Sequence, residues 1–177
     1  MEGLLDYVIT PAGPADAAEL ARVHVRSWRE TYPGLLPQTF LSAMREEAHA
    51  RRFRSELSRQ KRGDVMLIVE GAAGAVGYAA GALTPGAQWA DCEIFTLYLV
   101  RPAQGLGLGR ALFGAASRVF KAEGARSLVL TVLSGNRPAR RFYERLGGEA
   151  FAEFPAKGWG GISETAYRWP DIDLLAL

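Results

Sequence analysis

Cysteine is almost missing from this chain. Cys92 stands alone among 177 residues, so no intramolecular disulfide can hold the fold, and a disulfide-stapled secreted scaffold is excluded. A single thiol fits a reducing compartment. Histidine is nearly as scarce. His24 and His49 share no ligand spacing with each other, with the cysteine or with a pair of carboxylates, so no metal is expected. Apolar residues never run for eighteen positions, which removes a membrane-spanning helix from the reading. The segment Met1-Glu-Gly-Leu-Leu-Asp6 has neither a basic lead nor a long apolar stretch, and we expect a cytoplasmic protein with no membrane partner. Excess charge of one sign is lacking too: 21 Lys and Arg against 19 Asp and Glu leave a net +2, too mild for nucleic acid as the main partner. The basic cluster from Arg51 to Arg62 is interleaved with Glu56 and follows Glu46 and Glu47, which reads as a solvated helix face. No tract is low in complexity. With 49% hydrophobic and 23% charged residues, the chain has the composition and length of one compact domain over residues 1–177.

The most specific feature present is a strand that runs into a glycine loop and then a helix: Glu93-Ile-Phe-Thr-Leu-Tyr-Leu-Val-Arg-Pro-Ala-Gln-Gly-Leu-Gly-Leu-Gly-Arg-Ala-Leu112. Gly105, Gly107 and Gly109 allow close approach of a ligand and let successive N–H groups turn inward. The following helix carries Leu108, Ala111, Leu112, Ala115, Val119 and Phe120 on one stripe, so its positive N-terminal end points at the same spot. A phosphate or pyrophosphate is the expected occupant. Spacing separates the known cradles. A dinucleotide fingerprint fails, because its third glycine position is Arg110 or Leu112. A P-loop fails, because neither Lys nor Ser/Thr follows Gly109.

Punctuation and period give the remaining elements. Leu5–Ile9 reads as a strand closed by Pro11 and Pro14. A helix runs from about Ala15 to Glu30, with Ala17, Leu20, Ala21, His24 and Trp28 on its apolar stripe, and Pro33-Gly34 stops it. Short helices cover Pro37–Met44 and Glu46–Gln60. Val65–Glu70 and Val76–Leu83 form a hairpin through Gly71-Ala-Ala-Gly74. Glu93–Val100 and Ser127–Leu133 flank the helix Leu108–Glu123, whose crossover should make those strands parallel. A last helix spans Arg137–Leu146, and Gly148–Phe154 with Ser163–Trp169 close the sheet as an antiparallel pair.

The segment Gln104-Gly-Leu-Gly-Leu-Gly109 fits [QR]-x-x-G-x-[GA] and resembles the acyl-CoA-binding motif of the GNAT superfamily of N-acetyltransferases. Asn136-Arg-Pro-Ala139-Arg-Arg-Phe142-Tyr143-Glu144-Arg-Leu146-Gly147 resembles the second GNAT hallmark, except that Gly148 stands where Phe is usual. Ala21-Arg-Val-His-Val-Arg-Ser-Trp28-Arg-Glu-Thr-Tyr32-Pro-Gly34 resembles the first helix and turn of one GNAT subgroup. The resemblance implies an α+β fold, with a mixed, mostly antiparallel sheet whose two central parallel strands splay apart, and flanking helices. It implies acetyl-CoA as co-substrate. The pantetheine would add as a pseudo-strand along Leu97, Tyr98 and Leu99, and the pyrophosphate would sit on Gln104, Gly105, Leu106, Gly107, Leu108, Gly109 and Arg110. Asn136 would contact the cofactor, cap its helix, or both.

The same resemblance makes Tyr143 the proton donor to the leaving thiolate and Glu93 the base for the incoming amine, directly or through water. Read as a regular strand, Glu93, Phe95, Leu97 and Leu99 share a face, and Asp91 is a reserve base only if a bulge intervenes. Thr131, five residues before the asparagine, cannot serve as base. Cys92 lacks a partnered base and reads as a buried small side chain. Trp28 and Tyr32, with Phe40 and Trp159, are candidate walls of an acceptor pocket, or else core aromatics. The expected activity is direct transfer of acetyl to a primary amine of a small molecule, protein or peptide. A non-catalytic acyl-CoA-binding module is the alternative, a nucleotide-binding regulator is disfavoured by the failed spacings, and a homodimer is left open.

Overall fold

The computed structural model describes residues 6–174. Seven strands form one sheet in the order β1-β2-β3-β4-β5-β7-β6, with β1 Val8–Pro11, β2 Val65–Gly71, β3 Gly74–Leu83, β4 Cys92–Leu99, β5 Leu128–Leu133, β6 Glu149–Pro155 and β7 Ser163–Trp169. Five α-helices accompany it among the described residues: α1 Ala17–Thr31, α2 Gln38–Ala43, α3 Glu46–Leu57, α4 Leu108–Ala122 and α5 Arg137–Arg145. Only β4 and β5 pair in parallel; every other neighbouring pair is antiparallel. This is the expected α+β architecture.

Two layers of helix enclose the sheet. On one face, His24 of α1 and Phe53 of α3 pack on Tyr78 and help bury it completely. On the other, α4 lays Leu108, Leu112, Phe113, Ala116 and Phe120 against the strands. The approach is close: a Cβ on Gly81 would come 2.9 Å from the Phe120 ring. A second cluster, containing Val25, Tyr32, Leu36, Leu41, Met44, Leu133 and Ala156, joins the α1–α2 segment to the β6–β7 turn.

Two expectations change. The first strand is Val8–Pro11 rather than Leu5–Ile9: Pro11 is its last residue, opposite Leu67, and β1 is a sheet edge, where a missing N–H is tolerated. The position Leu5 of the expected first strand falls outside the described residues. Gly148 leaves no loose packing. The Trp169 ring occupies its side-chain space, 2.7 Å from where a Cβ would stand, and Trp169 Nε1 donates to Leu146 O at 2.9 Å. A phenylalanine at position 148 has no room beside that tryptophan.

Candidate active site

The parallel pair is short. Cys92, Glu93 and Ile94 oppose Leu128, Val129 and Leu130, and there the pairing stops. Beyond it β4 stays on β3 as far as Leu99, while Thr131–Leu133 stay on β7. The two strands therefore part from Phe95 onward, and the facing edge of β4 has no ladder partner. Val100 N–H donates to Val76 O at 2.9 Å. Alternation of the antiparallel ladder then aims the Tyr98 amide groups at β3 and those of Leu97 and Leu99 into the gap. One of the exposed acceptors is already used: Gln104 Nε2 donates to Leu99 O at 3.0 Å, which ties the glycine loop to the end of β4. Leu97 and Leu99 thus present backbone to a ligand strand, and Tyr98 presents its side chain on the α1 face.

The three glycines of the loop have different duties. Gly105 (φ 78°) and Gly107 (φ 84°) are left-handed, a conformation that side chains strain to adopt. Gly107 is the N-cap of α4, and its carbonyl accepts the Ala111 N–H at 3.1 Å. Amides of the turn before that bond lack intrahelical acceptors and face outward with the helix dipole behind them. A Cβ on Gly105 would meet nothing within 4 Å, so open space lies over the loop. Gly109 instead serves packing, since a Cβ there would come 3.2 Å from the Phe142 ring and 3.6 Å from Leu99. Leu108 is buried and Leu106 partly buried in the core, whereas Arg110 is exposed at the helix start.

Helix α5 brings the second motif to the same gap. Asn136 Oδ1 accepts the Ala139 N–H at 3.3 Å, so the capping role is present. Tyr143 is buried, with ring contacts to Phe142, Tyr167 and Trp169. The hydroxyls of Tyr32 and Tyr98 lie 3.0 Å apart on the α1 face of the sheet. Burial pushes Tyr143, Tyr98 and Tyr32 all above the usual phenol value, so each stays protonated.

Glu93 stands where the strands begin to part, but not on the expected face. Ala80 opposes Thr96 and Gly81 opposes Ile94, so Phe95 is the extra residue of a β-bulge. The bulge reverses the alternation. Glu93 shares the α1 face with Thr96 and Tyr98, whereas Leu97 and Leu99 point to the α4 face. Burial, and then the charge of Glu164, raise the Glu93 pKa; burial also raises that of Glu164. Neither carboxylate belongs to an ion pair among the described residues. Glu164 sits on β7 opposite Leu133, and the register of β5 with β4 and β7 places it on the same face as Glu93. No motif marks Glu164. It is found only once β7 is threaded between β5 and β6.

Other candidates are committed elsewhere. The Asp91 carboxylate accepts the Arg126 N–H at 2.8 Å, the Ser127 N–H at 3.0 Å and the Ser127 hydroxyl at 3.0 Å, which hold its pKa below the usual carboxylate value. It is a structural brace, not a poised base. Cys92 is fully buried, and burial followed by the charge of Asp91 pushes its thiol up to about 12, so almost no thiolate exists to attack a thioester. His24 is buried with Nδ1 2.6 Å from the Tyr78 hydroxyl; burial, then His49 and Arg52, push it down to about 3, which keeps it neutral. The rings of His24 and His49 do meet, with centroids 4.5 Å apart, yet no group of three metal-ligating side chains forms among the described residues. Trp28 and Tyr32 belong to one aromatic stack with His24 and Tyr98, and Tyr32 is buried there. Phe40 and Trp159 pack edge to face at 4.8 Å nearer the surface. Arg52 pairs with Glu56 and Arg62 with Glu123, as a solvated basic face would. No helix among the described residues is long and apolar enough to cross a membrane.

These features recur in known proteins. The profile of the acetyltransferase (GNAT) family matches residues 23–148. A Bacillus subtilis (strain 168) protein described as uncharacterized N-acetyltransferase YuaI is 29% identical over 164 residues, covering 90% of this chain and 91% of that one. Among solved structures, an acetyltransferase from Thermus thermophilus is 26% identical with a TM-score of 0.67, covering 96% of this chain and 99% of that chain. The PaiA N-acetyltransferase of Thermoplasma acidophilum, solved in complex with coenzyme A, is 20% identical with a TM-score of 0.74, covering 92% and 99%. The matched region contains the glycine loop, the parting strands and the Asn136–Gly147 segment, and this chain belongs to the GNAT family of acetyltransferases.

Proposed function

We propose that the protein moves the acetyl group of acetyl-CoA directly to a primary amine. The observation that carries this reading is the parting of β4 and β5 after Ile94, with a left-handed glycine loop at its open end. A pantetheine amide chain fits along the backbone of Leu97 and the Leu99 N–H, which have no ladder partner, and a pyrophosphate fits the space over Gly105 and the start of α4. Acetyl-CoA laid this way brings its thioester down toward the bulge, between Glu93 and Tyr143.

The chemistry then has three demands. The amine must lose a proton, and Glu93 on the α1 face takes it, directly or through water. Its raised pKa makes it a better base than an ordinary surface carboxylate. The free amine attacks the thioester carbon, and gap-facing amides such as that of Leu97 are placed to donate to the oxygen as charge develops. The C–S bond then breaks, and the second proton that the attacking nitrogen loses replaces the one that Tyr143 gives up. Tyr143 donates to the departing sulfur, and burial that raises its phenol also disfavours a bare thiolate, so donor and leaving group are shifted in the same sense. The products are an amide and the CoA thiol.

Direct transfer predicts that thiol release from acetyl-CoA depends on added amine, and that Cys92→Ala keeps the wild-type dependence. Mass spectrometry of protein incubated with acetyl-CoA alone should find no acetylated Cys92. Thiol release without amine, accompanied by an acetylated protein, would replace direct transfer by a covalent route. Glu164 gives a further expectation. Removing its charge in Glu164→Gln eases ionisation of Glu93, so the acidic limb of the kcat/KM profile should move to lower pH. A limb that stays in place would show that Glu93 is not the group seen in the profile.

A further inference from the structure

The segment between β3 and β4 does more than turn the chain. Thr84 Oγ1 donates to Ala90 O at 2.9 Å, Thr84 N–H to Asp91 O at 2.7 Å and Ala87 N–H to Thr84 O at 3.0 Å, so the loop is closed on itself. The Asp91 carboxylate fastens its base to Arg126 and Ser127. The loop carries Trp89 across to β6, where its ring meets Phe151 edge on at 5.5 Å and lies 5.6 Å from Phe154. Trp89 remains 44% exposed. Beneath it lies a pocket of about 150 Å³ lined by Thr84, Ala87, Gln88, Trp89, Ala90, Glu93 and Val129. Glu93 is thus both the wall of this pocket and the carboxylate at the point where the strands part.

We propose that this pocket receives the ring of the acceptor, and that the acceptor is an arylalkylamine without a carboxylate. The inference rests on reading the chain as an amine acetyltransferase. Size supports it, since a cavity of about 150 Å³ accommodates a group as large as benzene. The walls support it, because a half-exposed tryptophan packed on two phenylalanines offers a flat apolar surface for an aromatic face. Charge supports it as well. Glu93 and Glu164 lie on this face of the sheet with no cation paired to either, so an ammonium is attracted and a carboxylate repelled. Arg168, a cation on the same face, is held by Glu149 at 3.4 Å and lies 5.5 Å from the Phe151 ring. An acceptor whose ring sits under Trp89 brings its amine up past Glu93 to the thioester.

The test compares phenethylamine, butylamine and phenylalanine as acceptors, followed by CoA-thiol release with wild type, Trp89→Ala and Trp89→Phe. In the wild type, kcat/KM for phenethylamine should exceed that for butylamine by at least about tenfold, and that for phenylalanine by more. Trp89→Ala should bring the phenethylamine-to-butylamine ratio close to one, and Trp89→Phe, which keeps a ring, should preserve most of it. A wild-type ratio near one, a ratio unchanged in Trp89→Ala, or phenylalanine equalling phenethylamine would overturn the inference and leave the acetyltransferase reading standing. Acetyl-CoA binding with no transfer to any of the three amines would also overturn it. Failure to bind acetyl-CoA would instead remove the acetyltransferase reading itself.

Discussion

Replacing Tyr143 by phenylalanine lowers kcat by about 10- to 1,000-fold and leaves acetyl-CoA affinity within a few fold, the scale of a lost general acid. The substitution removes one hydroxyl and keeps the ring against Phe142, Tyr167 and Trp169, so the fold has no reason to change. Burial holds the phenol protonated, so it has a proton to give to the departing sulfur. Single-turnover rates and calorimetric affinity measured on the same preparation separate the two quantities. An unchanged kcat would reduce Tyr143 to a packing residue of α5.

Substituting Glu93 by glutamine should lower kcat/KM by about 100-fold near neutral pH, within the range expected of a lost general base. Raising the pH should recover much of the loss. An alkylammonium has a reference pKa of about 10.4, and free amine then accumulates without help. Stability should move the other way. Because the folded pKa of Glu93 is raised, the stability linked to its protonation is full below the unfolded value and lost as pH rises through the folded one. At neutral pH the charged carboxylate is therefore a burden, and Glu93→Gln should melt slightly higher than wild type. Greater stability with less activity marks a residue kept for chemistry rather than packing. A mutant profile that overlays the wild type would make Glu93 a strand-end carboxylate only.

What could be read from the sequence was local. The glycine loop, the Asn136 cap and the Ser163–Trp169 strand are specified by the residues that form them, and the structure keeps them. The crossover over Leu108–Ala122 was equally readable, because a long amphipathic helix between two apolar runs leaves few other arrangements. The bulge at Phe95 was not. It arises because β4 has one residue more than β3 needs between Gly81 and Ala80, a property of the pair that no single strand displays. That one residue moves Glu93 to the face where α1, Tyr98 and Glu164 lie. Gly148 likewise reads as a defect until Trp169, twenty-one positions later, is found filling its space. The place of Trp89 is hidden in the sequence for a similar reason, since Phe151 and Phe154 stand on β6, which lies beyond β5 and β7 from β4.

The central claim is that acetyl-CoA lies in the gap between β4 and β5 with its pyrophosphate on the glycine loop. Isothermal calorimetry tests it most directly, with acetyl-CoA and NAD titrated into wild type and into Gly107→Val. The valine variant places a branched side chain at a left-handed position where the phosphates approach. The account predicts saturable heat with acetyl-CoA and none with NAD for the wild type, and a loss of the acetyl-CoA heat in the variant. Wild-type protein that gives no heat with millimolar acetyl-CoA, or that binds NAD as well, would contradict it.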